Sequence, residues 1–296
     1  MQYRGLFVGL TTLDFVYLSD RPIESNQKIV AQDYLTVAGG PATNAAVAFC
    51  YCSDGNRSKL LSVVGRHPLT ELINNDLIQH SVTTIDLMPD KTDSPPVSSI
   101  VVNSLTGKRS IISINAVKSQ ANPQAISADL LTDIDIDIVL LDGHQIEVGL
   151  KIAAIAKSKQ IPVVLDGGSW KPNLEKLLLE VDYAICSANF YPPQCTQSDR
   201  VFDYLINCGI EHIAITQGEN PILYREPDVN SIITVPSIKA VDTLGAGDIF
   251  HGAFCHYILQ ENFPTALKLA AKIASKSCLS FGTRSWMEHR TLSIKH

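Results

Sequence analysis

Along the chain, short apolar runs alternate with longer amphipathic stretches, a pattern that predicts a layered α/β fold with a mainly parallel central sheet. The strand-like runs are Leu6–Leu10, Lys59–Val64, Asp137–Leu141, Pro162–Leu165, Tyr183–Cys186 and His212–Thr216. Helical spacing covers Ala42–Cys52, Leu69–His80, Gln124–Leu131, Ile146–Lys159, Pro193–Asn207, Ala246–Leu259 and Thr265–Phe281. In the sixth of these, the apolar residues fall at 249, 250, 253, 254, 257 and 258, a wide stripe that marks a core-facing side.

Two regions break the alternation. Residues 13–37 hold two strand-like segments, Leu13–Leu18 and Lys28–Val37, with no helix between them. Residues 97–114 hold two more, joined across 104–109, where Thr106-Gly107-Lys108 reads as a hairpin turn. Four antiparallel strands from about 13–38 and 96–115 are therefore expected to form a small sheet beside the main one. Such a sheet could close over a site at the strand ends. An extended edge of the main sheet is the other arrangement that the pattern allows.

Composition narrows the function classes. With 296 residues, 45% of them hydrophobic and 18% charged, the chain suits a folded α/β protein of enzyme size. A net charge of -6, with no run rich in Lys or Arg, excludes a broad nucleic-acid-binding face. No apolar run approaches the roughly 18 residues of a membrane span. The N-terminal run Gly5–Leu10 is too short for a secretory signal. The seven cysteines are scattered and form no CxxC, which reads as reduced core thiols and a cytoplasmic location.

The strongest chemical signal is Asp242-Thr243-Leu244-Gly245-Ala246-Gly247-Asp248, directly before a helix. Gly245 and Gly247 permit backbone shapes that let several amides at a helix start point at one anion. Asp248, in the first turn, either accepts a proton from an attacking hydroxyl or merely caps the helix. The spacing is neither GxGxxG nor GxxxxGK[ST], so a Rossmann or P-loop assignment fails. A second signal, Gly39-Gly40-Pro41-Ala42-Thr43-Asn44, reads as a hinge that opens a helix, with Asn44 offering an amide to sugar hydroxyls, or as a plain turn.

Weaker candidates follow other strands. Asp142-Gly143-His144 and Asp166–Lys171 lie where ligands of open α/β sheets bind, or are simple turns. Lys108 and Arg109 either meet an anionic substituent or are solvated hairpin charges. His251 and His256 lack metal-site spacing and read as core or capping histidines.

The two glycine-containing motifs, about two hundred residues apart and in this order, resemble those of the ribokinase-like (PfkB-type) carbohydrate kinases. The late motif of that family, D-T-x-G-A-G-D, is matched at every specified position. The resemblance spans nearly the whole chain and implies one three-layer domain over 1–296 with a small four-stranded β lid. It also implies ATP and Mg2+ as cofactors, and a sugar as the small-molecule substrate. Asp248 matches the family's base, and Gly245, Ala246 and Gly247 its anion hole. Asp14, expected at the end of the first strand, matches the carboxylate that grips substrate hydroxyls, and Gly39, Gly40 and Asn44 match the hinge and sugar-binding segment. Thr216, Gly218, Thr243, Ala274 and Gly282 fall where the family contacts nucleotide. Lid sheets in this family pair in some members, so a homodimer through the lid is an expectation, with neither nucleic acid nor membrane as a partner.

The chain departs from the family in three places, one of them Val64-Gly65-Arg66-His67-Pro68, which lacks the acidic residues and later Gly often seen there. Where N-x-x-E is frequent it has Ser187-Ala188-Asn189-Phe190, with no residue assigned as a metal ligand, and a frequent G-x-x-G is replaced by Gly218-Glu219-Asn220-Pro221. The Ser187–Phe190 stretch, with Gly107-Lys108-Arg109, resembles the ketohexokinase and sulfofructose-kinase branch and implies a ketose-like substrate with a primary hydroxyl. A nucleoside kinase, a sugar-phosphate kinase and a sugar-binding regulatory homologue are the alternatives.

Overall fold

In the computed structural model, residues 2–116, 118–126 and 135–288 are described. Among them, the strands of the main sheet are β1 (Arg4–Val8), β4 (Arg57–Ser62), β5 (Val82–Asp86), β8 (Ile138–Leu141), β9 (Val163–Gly167), β10 (Tyr183–Ser187), β11 (His212–Gln217), β12 (Asn220–Glu226) and β13 (Val229–Ile233). They lie in the order β13-β12-β11-β10-β9-β8-β1-β4-β5. Pairing is parallel from β5 to β11, and β12 and β13 add an antiparallel edge. The sheet is covered by α1 (Pro41–Tyr51), α2 (Pro68–Gln79), α6 (Ala246–Tyr257) and α7 (Phe263–Ser277) on one face, and by α3 (Ile146–Ser158), α4 (Leu174–Leu178) and α5 (Ser198–Asn207) on the other.

Three layers follow from the strand sequences. Each central strand is apolar at successive positions, and successive side chains point to opposite faces. Phe7, Leu60, Leu140, Val164, Ile185 and Ala214 join the core under α1, α6 and α7. Their neighbours Leu6, Val8, Leu61, Val139, Leu141, Val163, Leu165, Ala184, Cys186, Ile213 and Ile215 join the core under α3 and α5. All seven cysteines are free thiols, four of them buried.

Helix boundaries are set by local chemistry. Pro68 starts α2 behind His67, whose Nδ1 accepts from Leu69 N at 3.2 Å, and Asn262 caps α7 by accepting from Thr265 N at 3.0 Å. The helix expected from Pro193 begins only at Ser198, because Gln194 adopts φ 65 between two prolines and the helix. Of the helix expected over Gln124–Leu131, residues 123–125 form a short 3-10 turn and 127–131 lie outside the described residues.

The second sheet contains β2 (Thr12–Ser19), β3 (Asp33–Gly39), β6 (Val97–Asn103) and β7 (Arg109–Ser113), in the order β3-β2-β6-β7. It comes from the two stretches expected, as a separate sheet and not as an edge of the main one. The expectation of four antiparallel strands is corrected at its centre, where β2 pairs with β6 in parallel. The two hairpins come from distant stretches, so their meeting strands are not bound by a turn to run in opposite directions. One face, through Val16, Ile100 and Val102, packs with Leu244 and Phe281 beside the glycine-containing loop.

Candidate active site

The site is organised by the start of α6. Gly245 is its N-cap at φ 68, a left-handed conformation, and a Cβ there would lie 2.8 Å from Thr283 Cγ2. With glycine as cap, no side chain takes up the amides of the first turn. Ala246, Gly247 and Asp248 therefore present the positive end of a twelve-residue helix toward the strand ends. The preceding loop is clamped by buried Asp242, which accepts from Leu244 N and from Gly282 N, both at 2.8 Å. Burial pushes the Asp242 carboxyl above its ordinary value despite those two amide bonds.

Asn44, buried in α1, donates from Nδ2 to Asp248 Oδ2 at 2.9 Å, so the two motifs of the sequence meet. Desolvation pushes the Asp248 carboxyl up to about 7, and the charge of Asp166 adds to that push. The Asn44 bond and the charges of His251 and Arg109 act in the opposite direction. A carboxylate with neutral proton affinity beside a bare helix start can take a proton from a hydroxyl while the amides hold a developing anion.

The second sheet supplies one wall. Asp14, expected at the end of the first strand, instead lies third in β2, after the chain has left β1 and entered the second sheet. Its Oδ1 accepts from Thr12 Oγ1 at 2.6 Å. Burial raises its proton affinity, while hydrogen bonds from Thr12 and Ser98 and the charge of Arg284 lower it. A side chain at Gly39 would overlap the Asp14 carboxylate, so glycine there is what lets the acid approach the chain. Gly40 follows at φ 99 against the Leu10 carbonyl. The β6–β7 hairpin rests on the glycine-containing loop, where Gly107 O accepts from Thr243 N at 3.2 Å and Thr243 Oγ1 at 3.0 Å. Arg109 Nη1 in turn donates to Thr243 Oγ1 at 3.0 Å.

Asp142, just after β8, and Asp166, near the end of β9, lie below these groups. Buried Asp142 accepts from Leu10 N at 2.8 Å, Ala42 N at 3.2 Å and His144 N at 2.8 Å, which ties the loop after β1 to the start of α1. Asp166 Oδ2 is buried with no hydrogen-bond partner among the described residues, 3.5 Å from His251 Nδ1. His251 Nδ1 lies 2.7 Å from Gly247 O and Nε2 lies 3.1 Å from Ile185 O, so both ring nitrogens face carbonyl acceptors. Burial lowers the proton affinity of His144, which also senses Asp142, Lys171 and Asp166. Asp142, His144 and Lys171 thus share one set of charges with Asp166, which in turn acts on Asp248. His256 is elsewhere, between Asn56 and Gln260, and burial pulls its value down to about 4.

Residues 5–290 match the family described as pfkB family carbohydrate kinase. The chain belongs to that family. The kinase is 25% identical over 289 residues to a ribokinase of Bacillus subtilis, covering 96% of this chain and 95% of that one. It is also 25% identical over 295 residues to a deoxyribokinase of Salmonella typhi, covering 94% and 93%. Among solved structures, Arabidopsis thaliana ribokinase complexed with ribose and ATP matches with a TM-score of 0.74 at 20% identity, over 95% of this chain and 94% of that one. The kinase is therefore an ATP-dependent carbohydrate kinase with the ribokinase-like α/β fold.

The positions expected to meet nucleotide in this kinase are more dispersed. Thr216, in β11, donates from Oγ1 to Cys186 O at 3.3 Å. Gly218, at φ 63, is the first residue of the two-residue turn joining β11 to β12. Ala274 lies near the end of α7, and Gly282, at φ 81, is held by Asp242 and abuts Leu35 of β3. The hydroxyl of Thr243 is engaged by the hairpin. Where an N-x-x-E would stand, Ser187 Oγ donates to Gly168 O at 2.8 Å and Phe190, in place of the acid, is buried against Trp170. The sequence reading missed Arg284 and Asp76. Both sit in segments without a motif, and only the bond of Arg284 to Asn44 and those of Asp76 to Arg284 and Ala38 N reveal them.

Proposed function

We propose that this kinase transfers the γ-phosphoryl group of ATP to a primary hydroxyl of a sugar, with Asp248 as the base. One observation carries the reading: a carboxylate of raised proton affinity stands in the uncapped first turn of α6, held by Asn44 at 2.9 Å. The hydroxyl, seated between Asp14, Asn44 and the lid formed by the second sheet, loses its proton to Asp248 as its oxygen attacks phosphorus. The amides of Gly245, Ala246, Gly247 and Asp248 stabilise the charge that develops on the phosphoryl oxygens. Gly39 and Gly40 act as the hinge. Thr216, Gly218, Thr243, Ala274 and Gly282 border the nucleotide, Thr243 through its backbone because its hydroxyl is taken.

A divalent cation, Mg2+, belongs to the same reading. Among the described residues no three His, Cys, Asp or Glu side chains form a cage for it, which suits an ion that keeps several waters and binds substrate phosphates. Asp166, with an unpartnered oxygen and a charge that burdens Asp248, fits a hydrated cation beside it. When bound, the ion neutralises charge on the transferring phosphates.

The acceptor is tested directly. A panel of fructose, ribose, deoxyribose, ketose phosphates and adenosine, with coupled ADP detection, separates a ketose from the sugars in the relatives' names. The ketose reading rests on Ser187–Phe190 and the Gly107–Arg109 hairpin. Binding of a sugar by calorimetry, with no ATP turnover at any Mg2+ concentration, would instead make the protein a regulatory homologue.

Two further outcomes follow. Because Asp248 works ionised, kcat/KM for the sugar should rise with pH and level off above about 7. A profile flat over roughly pH 5 to 9 would remove Asp248 as the titrating base. The outer face of the lid aligns Tyr17, Tyr34 and Ile112, exposed at 39%, 69% and 76%, with Tyr17 opposite Tyr34 in register. We propose that this face pairs two copies of the chain. Light scattering should then give twice 32.3 kDa, reduced to the monomer by Tyr34→Lys with Ile112→Lys.

A further inference from the structure

The side chain of Arg284 sits behind the base. It leaves the loop after α7 and lies largely buried, 13% exposed, between three elements. Nη2 donates to Ala38 O, at the end of β3, at 2.8 Å and to Asp76 Oδ2, on α2, at 3.0 Å; Nε reaches the same Asp76 oxygen at 3.3 Å. Nη1 donates to Asn44 Oδ1 at 2.9 Å and to Thr283 Oγ1 at 3.0 Å.

The bond to Asn44 has a chemical consequence. A guanidinium has only donors, so the Asn44 atom that faces it must be the amide oxygen. The amide nitrogen is then directed at Asp248, an ionised acceptor, 2.9 Å away. With Arg284 absent, nothing on that side distinguishes the two ends of the amide, and a flip would set oxygen against oxygen at the base. Other groups facing Asp248 are Asp166 from β9, His251 from its own helix and Arg109 from the lid, and none of them touches Asn44. Among the described residues Arg284 alone holds the amide by its oxygen, and it does so whether or not Asp248 carries its proton.

We propose that Arg284 is a positioning residue that fixes the orientation of Asn44 and thereby keeps Asp248 ionised and aimed for proton transfer. The proposal rests on the reading of Asp248 as the base. Because the same guanidinium grips Ala38 O one residue before Gly39, it also links the lid hinge to the base.

The test compares variants at Arg284, Asp76 and Asn44. Arg284→Gln should lower kcat by roughly 10- to 100-fold, the effect of misplacing a hydrogen bond to a charged group. The rising limb of its pH profile should move up by about one unit, since the carboxylate loses a stabilising donor, while KM for ATP changes less than about twofold. Arg284→Lys, which keeps one donor, should recover part of the loss. In an Asn44→Ala background, Arg284→Gln should add little, because the two act in series. Asp76→Asn, which leaves the Asn44 bond in place, should lower the melting temperature without moving the pH limb.

If Arg284→Gln fails to fold because Asp76 is left unpaired, Asp76→Asn combined with Arg284→Met removes both charges and is read in its place. An unmoved pH limb, or a loss equally large in the Asn44→Ala background, would overturn the proposal. These results separate from failure of the base itself: normal turnover in Asp248→Asn sinks both readings, whereas a dead Asp248→Asn with an unmoved Arg284→Gln sinks only this one.

Discussion

Asp248→Asn is expected to lower turnover by about 10²- to 10⁴-fold, the range of a lost general base, while sugar and ATP still bind. The amide keeps the shape of the carboxyl but cannot take the hydroxyl proton. Folding should survive, and pH makes that expectation sharper. The Asp248 carboxyl rises from its ordinary 3.8 to about 7 in the folded protein, chiefly through burial. Stability from this group is therefore fully present below about pH 4 and is lost as pH rises through about 7, where the charge must be held in a desolvated place. Asn is neutral throughout. The melting temperature of Asp248→Asn relative to the native protein should therefore climb between those two pH values. Stopped-flow or coupled ADP assays give the rate, and thermal melts across pH give the linkage. Wild-type turnover in this variant would remove Asp248 from the mechanism, and a melting difference that falls with pH would contradict its burial.

How much was legible beforehand depends on whether the information was local. The D-T-x-G-A-G-D stretch could be read because each residue acts within a few positions of itself: Gly245 turns the chain, Asp248 enters the first turn, and Asp242 clasps Leu244. The central strands were legible because their apolar runs serve two cores at once. β5, α4, β12 and β13 were missed: Val82–Asp86 and Val229–Ile233 sit at sheet edges where polar residues are tolerated, and α4 spans only five residues. The parallel pairing of β2 with β6 could not be read at all, because it joins segments about eighty residues apart. The same distance hid Arg284, whose partner Asn44 lies 240 residues away. The family resemblance supplied Asp14 and Asn44 as a pair, but the group that holds Asn44 in place emerged only from packing.

Gly252→Ala is expected to be the most damaging single methyl in the main core, and it tests how the site is held from below. Gly252 lies on α6 one turn after Asp248, at the crossing with α1, where an added Cβ would run into the carbonyl oxygen of Ala45. Ala45 is the neighbour of Asn44, so this crossing sets the separation between Asn44 and Asp248. Since the obstacle is backbone and not a flexible side chain, the helices have to move apart, an overpacking cost of about 1–3 kcal/mol or more. Turnover should fall with stability, because the 2.9 Å bond from Asn44 to Asp248 cannot survive a parted crossing unchanged. Gly149→Ala provides the control. It makes the same chemical change in α3 on the opposite layer, where a Cβ would find only ordinary contacts at 3.8 to 3.9 Å. There the helix should gain roughly 0.5–1 kcal/mol from alanine's better propensity, with turnover unchanged. Denaturant unfolding and steady-state kinetics of the two variants should diverge in both readouts. Equal stability in the pair would mean that α1 and α6 are not held in place by the close approach at Gly252, and that Asn44 reaches Asp248 for some other reason.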